Sequence, residues 1–109
     1  LRQDPRAVVL LLEGSKKHLR RLRPLLSKGE EQRLLFLPRM AREHLLALVA
    51  TADVFLDTFP WGAGVTSLEA FASCVPVVVL PSKTSVLQLA LGQYRAMDML
   101  ELTAGNVSQ

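Results

Sequence analysis

The chain has 109 residues, half of them hydrophobic, 21% charged, with a formal net charge of +3. Six Gly, six Pro and a single Cys in so apolar a chain exclude collagen-like, disordered and disulfide-stapled classes. The length fits one small domain or part of one, residues 1–109. The first residue is Leu1 rather than Met and the pattern begins in mid-course, so a segment of a longer protein is expected. The longest unbroken apolar stretch, Val75 to Pro81, is about a third of the roughly 20 residues that cross a bilayer, and no membrane partner is expected. A lone Cys74 forms no internal disulfide, which suits a reducing compartment such as the cytoplasm.

Charge is uneven. Eleven of the thirteen basic residues and five of the ten acids lie in residues 1–45, a surplus of six positive charges; residues 46–109 carry a surplus of three negative ones. Lys16, Lys17, Arg20, Arg21 and Arg23 cluster in one amphipathic stretch, which reads as a solvated helix face. No aromatic residues interleave with these bases, so nucleic acid is not an expected partner.

In chain order, Ala7 to Leu12 is a continuous apolar run suited to a strand buried on both faces. Apolar spacing from Lys16 to Leu26, with His18 among the packing residues, predicts a helix that Ser27-Lys28-Gly29 stops. Leu34 to Leu37 reads as a second strand closed by Pro38. A helix over about Ala41 to Ala50 carries a buried stripe of Leu45, Leu46, Leu48 and Val49. Val54 to Leu56 reads as a third strand, followed by a loop from Thr58 to Val65 and a helix starting at Thr66-Ser67. Val77 to Leu80 is a fourth strand, Val86 to Met97 a helix, and Leu100 to Leu102 a last short strand. Strand alternating with helix implies an α/β fold, a parallel sheet with flanking helices.

Ligands of such sheets bind beyond the carboxyl ends of the strands. The loop after the third strand is the best candidate. Gly62 and Gly64 let backbone approach a ligand. Thr66 and Ser67 place hydroxyls and free N–H groups at a helix start, whose partial positive charge suits phosphate. Glu69, about a turn further on, could accept two hydrogen bonds from a ribose diol. The same Thr66-x-x-Glu69 pair is also a capping box, in which both side chains only cap the helix. The glycines match neither G-x-G-x-x-G nor a phosphate-binding P-loop, which disfavours a simple dehydrogenase and a nucleoside-triphosphate hydrolase. Cys74, at a helix-to-strand junction, reads as a small buried residue rather than a nucleophile. One Cys and two distant His make a zinc site improbable, and no catalytic residue is identified.

Ala52-Asp53-Val54-Phe55-Leu56-Asp57-Thr58-Phe59-Pro60, then Thr66-Ser67-Leu68-Glu69-Ala70, then Val75-Pro76-Val77-Val78-Val79-Leu80-Pro81 resembles the C-terminal part of the protein O-linked N-acetylglucosamine transferases and the related Spindly-type and bacterial repeat-containing glycosyltransferases. Gly92 to Met97 and Leu100 to Leu102 continue the match, as do Arg33 to Pro38 and the helix through His44. The resemblance implies the Rossmann-like C-terminal half of a GT-B glycosyltransferase. It implies a UDP-sugar donor, usually UDP-N-acetylglucosamine, a Ser/Thr hydroxyl of a protein as acceptor, and no metal or other cofactor. It places Thr66 and Ser67 on the diphosphate, Glu69 on the ribose and Arg42 beside the uracil. His44 matches a family histidine with a one-residue shift. An N-terminal catalytic lobe and helical repeats of the same chain are the further partners implied, with a cytoplasmic, and also nuclear, location. Gly64-Val65-Thr66 stands where protein-modifying members carry His-Thr-Thr, Cys74 replaces a common Gly, and Ser82 replaces the usual Gly after Pro81. A non-catalytic Rossmann-like interaction module and a GT-B transferase with another donor are the alternatives.

Overall fold

The computed structural model describes residues 1–12, 20–59, 61–81 and 88–106. The expected helical residues 16–19 with His18, the start of the last helix at Val86, and Ser82 lie outside the described residues. The chain divides into two compact units, Leu1–Met40 and Ala41–Gln109.

In the first unit, β1 (Val9–Leu12) pairs in parallel with β2 (Leu34–Leu37), from Val9 opposite Leu34 to Leu12 opposite Leu37. Leu10, Leu11 and Leu12 are 41%, 36% and 44% exposed, which corrects the expectation of a strand buried on both faces. The reason is architectural: among the described residues this sheet has two strands, and apolar side chains are covered only where a helix lies over them. Residues 20–22 are helical and tighten into a 3-10 turn at Arg23–Leu25. Pro24 ends the helix there, because its nitrogen has no proton for the next helical bond.

Ser27 therefore does not stop a helix; it starts one. It caps α1 (Lys28–Gln32) in a reciprocal box, the Glu30 N–H donating to Ser27 Oγ at 3.3 Å and the Ser27 N–H to Glu30 Oε2 at 2.7 Å. Arg2 Nε donates to Glu30 Oε1 at 3.2 Å and Arg2 Nη2 to the Leu25 carbonyl at 3.1 Å. Arg33 is no idle surface charge. Its guanidinium donates to the carbonyls of Leu1, Asp4, Ala7 and Gly29, gathering the N-terminal segment against the foot of β2.

These contacts give the unit an acid limit. The Ser27 backbone N–H, the Ser27 hydroxyl and Arg2, in falling order, draw the Glu30 pKa from 4.5 down to about 2. Asp4 is lowered in the same sense, chiefly by the Arg6 N–H and side chain. A carboxyl whose pKa falls on folding stabilises the fold above its unfolded value and loses that contribution as pH drops toward the folded one. Stability measured by circular dichroism should therefore decline between about pH 4.5 and 2, and Glu30→Gln should flatten that limb. An unchanged acid limb in the variant would contradict this role.

In the second unit, α2 (Arg42–Val49) leads through a turn tied by Thr51 Oγ1 to the Leu48 carbonyl into β3 (Phe55–Leu56). The α2 stripe of Leu45, Leu46, Leu48 and Val49 is half-buried, not fully buried. β3 pairs in parallel with β4 (Val77–Val78), so the described strands form two small parallel sheets rather than one. Between β3 and β4 runs α3 (Val65–Ala72), and α4 (Leu89–Ala96) follows. The expected last strand appears as a parallel bridge between Val79 and Thr103. Ala70, Val75, Val77, Val79, Ala90, Leu91 and Tyr94 form the core, with the Phe71 and Tyr94 rings edge-to-face at 4.9 Å.

One edge of β4 is closed in an unusual way. Residues 76 and 78 turn their carbonyls to β3, so Val77 and Val79 face the opposite edge. Val79 bonds there to residues 102–104, and Val77 bonds to a side chain: its N–H donates to Tyr94 Oη at 2.9 Å, and that hydroxyl donates to the Val77 carbonyl at 2.7 Å. Tyr94 thus stands in for a strand.

α3 and α4 both end in paired 6→1 and 5→2 bonds around a left-handed residue, Cys74 (φ 58°) and Asp98 (φ 54°). Cys74 is exposed, which corrects its placement as a buried residue: the turn projects the side chain outward. That backbone favours glycine. Cys74→Gly should stabilise the protein by about 0.5–1 kcal/mol, read as a higher urea midpoint. A lower midpoint would contradict the strain.

Candidate nucleotide-binding site

β3 leads into Asp57, whose N–H donates to the Val78 carbonyl at 3.0 Å. Asp57 Oδ1 accepts from the Ala63 N–H and so staples the loop that follows. Thr58 Oγ1 donates to the Trp61 carbonyl within the same turn. Gly62 and Ala63 are buried, while Phe59 and Trp61 stand 62% and 70% exposed at the rim. The sequence pattern gives Asp57 no role; an acid directly after an apolar strand and before a Gly/Pro loop is the available signal of a staple.

The loop delivers the chain to Gly64, the N-cap of α3, at φ −98°. No side chain caps this helix, and the N–H groups of its first turn have no acceptor one turn back in the helix; Val65 and Thr66 are exposed there, whereas Ser67 is fully buried. The helix starts one residue earlier than expected, and Thr66 and Glu69 form no capping box. A Cβ on Gly64 would meet Leu89 Cδ1 at 3.4 Å, an ordinary contact, so the protein itself does not demand glycine here.

Thr66 is exposed at this mouth beside Val65, itself 69% exposed. Ser67 differs. Its side chain is fully buried, with Oγ 2.6 Å from the Gly64 carbonyl and 2.8 Å from Gln93 Oε1 of α4. A hydroxyl has one proton, and three acceptors surround it: the Gly64 carbonyl, Gln93 Oε1 and, at 3.2 Å, the Ala63 carbonyl. The Ser67 hydroxyl is spent inside the protein, and the residue exposes nothing at the mouth. Gln93 carried no signal in the sequence, since its partner is 26 residues away.

Glu69 and Arg42 come together. Arg42 Nη2 and Nε lie 2.9 and 3.0 Å from Glu69 Oε1, joining the start of α2 to α3 one turn beyond its open end. The Glu69 side chain is 15% exposed and that of Arg42 73%. His44, two residues along α2, is exposed and stays out of this pair. Among the described residues no three of His, Cys, Asp and Glu converge where they could hold a metal ion, and no helix is long and apolar enough to cross a membrane.

A parallel strand, a stapled glycine loop and an uncapped helix with an acid one turn inside it define an α/β protein. Among solved structures, the chain is similar to a lysine-to-methionine mutant of the Thermobaculum terrenum O-GlcNAc transferase, with 34% identity and a TM-score of 0.81. The similarity covers 94% of this chain and 21% of that one, so the chain spans about a fifth of that protein's length. Identity and fold together make this chain an O-GlcNAc-transferase-like segment. No protein-family model and no curated protein matches it.

Proposed function

We propose that the second unit is part of the donor site of a glycosyltransferase with the GT-B, Rossmann-like arrangement, and that the donor is a UDP-sugar, UDP-N-acetylglucosamine in particular. The observation that carries this is the open first turn of α3 with Glu69 one turn beyond it, in a chain 34% identical to an O-GlcNAc transferase. The N–H groups of Val65 and Thr66, with the Thr66 hydroxyl, receive the diphosphate; the helix field favours that charge. Gly62 and Gly64 keep the approach clear. Glu69, paired with Arg42, takes the ribose hydroxyls, and His44 flanks the base.

In the complete reaction, a Ser/Thr hydroxyl oxygen of a protein bonds to the anomeric carbon as the carbon–oxygen bond to the diphosphate breaks. The configuration inverts, the hydroxyl proton is released and UDP departs. This segment's share is electrostatic: it stabilises charge developing on the leaving diphosphate, as a metal ion would otherwise do. The acceptor, the opposite lobe, helical repeats and a cytoplasmic or nuclear setting belong to this same proposal.

One observation favours a second reading, a non-catalytic module. Val65 presents an apolar side chain at the helix mouth and the Ser67 hydroxyl is spent, which leaves the Thr66 hydroxyl alone there. Competition calorimetry tests both readings. The donor-site reading expects UDP and UDP-N-acetylglucosamine to bind saturably and to outcompete ADP- and GDP-sugars. Preference for another nucleotide points to a different donor, and no heat at millimolar UDP points to the module.

A further inference from the structure

The two side chains that meet beside the open helix have different environments, and the difference suggests a division of labour. Glu69 is largely enclosed, whereas the Arg42 guanidinium is largely in solvent. Both guanidinium bonds fall on one oxygen, Oε1. The second oxygen, Oε2, keeps its lone pairs for another donor set.

We infer that Arg42 is a positioning residue: it holds the Glu69 carboxylate by Oε1, with Oε2 presented to a vicinal diol, before the nucleotide arrives. This rests on the donor-site reading above and assigns Arg42 to the carboxylate rather than to the base.

The physical reason is preorganisation. A glutamate has three side-chain torsions, and a ligand that must freeze them loses affinity. α2 packs against α3, so the Arg42 backbone is fixed relative to Glu69, and a planar guanidinium fixes direction as well as distance. A carboxylate already bound on one oxygen meets the diol with little left to order.

The test compares UDP with 2′,3′-dideoxy-UDP by calorimetry on the wild-type protein, Arg42→Met and Arg42→Lys. The wild type should prefer UDP by about tenfold or more. Arg42→Met should bring that preference to within about threefold and leave dideoxy-UDP binding nearly unchanged, with Arg42→Lys in between because a point charge holds the carboxylate less firmly. A plain tie between helices would lower the melting temperature of Arg42→Met and leave the preference intact, which would overturn the proposal. Equal weakening of both nucleotides would also overturn it, since Arg42 would then be touching base or phosphate. Equal binding of both nucleotides by the wild type would remove the ribose role while leaving the donor site standing; no binding of either would remove the donor site itself.

Discussion

Glu69→Ala is expected to weaken UDP binding by roughly ten- to a hundredfold while the protein stays folded. A hydrogen bond to an ionised carboxylate contributes about 1.5–3 kcal/mol, and a ribose diol offers two donors to one acceptor. The fold does not depend on this carboxylate in the same degree. Its partner Arg42 is 73% exposed, and an ion pair open to solvent stabilises by at most about 1 kcal/mol. Affinity and stability should therefore separate: calorimetry shows the loss, and a thermal melt shows little change. Glu69→Gln should fall between, because an amide oxygen still accepts but carries no charge. An unchanged Kd in Glu69→Ala would mean that the ribose lies elsewhere.

The largest effect on stability is expected from Tyr94→Phe. Only the hydroxyl is removed; the ring against Phe71 and the volume in the core remain. That hydroxyl accepts from the N–H and donates to the carbonyl of Val77, a residue fully buried. Without it, one backbone donor and one acceptor are left unpaired away from water, at a cost of about 2–3 kcal/mol. For a chain of this size that is a drop in melting temperature of roughly 10 °C or more. A variant as stable as the wild type would show that water or a shift of residues 102–104 satisfies this edge.

The parts legible in the sequence were those written in local pattern. The apolar runs at Val9–Leu12, Leu34–Leu37, Phe55–Leu56 and Val77–Val78 became strands, and parallel pairing followed from the helices between them. Residues 102–104 do lie beside Val79, as a bridge rather than a strand. What misled was residue chemistry with two local meanings. Ser27-Lys28-Gly29 looks like a helix stop, yet Ser27 with Glu30 three residues on is a helix start, and Pro24 had already ended the preceding helix. Thr66-x-x-Glu69 looks like a capping box, yet the chain enters α3 at Gly64 and Glu69 turns to an arginine 27 residues away.

What stayed hidden depends on contacts between distant residues. The burial of Ser67 against Gln93, the staple from Asp57 to Ala63 and the plugging of Val77 by Tyr94 have no periodic signature. Cys74 is the instructive intermediate. Its replacement of a glycine was visible, but its outward turn needed the backbone angle.

The central claim is that the uncapped first turn of α3 receives the pyrophosphate of a sugar nucleotide. Following backbone amide resonances during a titration with UDP tests it most directly. The account predicts that Val65 and Thr66 move furthest and saturate together, with uridine alone leaving them nearly still. Saturable binding that shifts other amides and spares these two would contradict it.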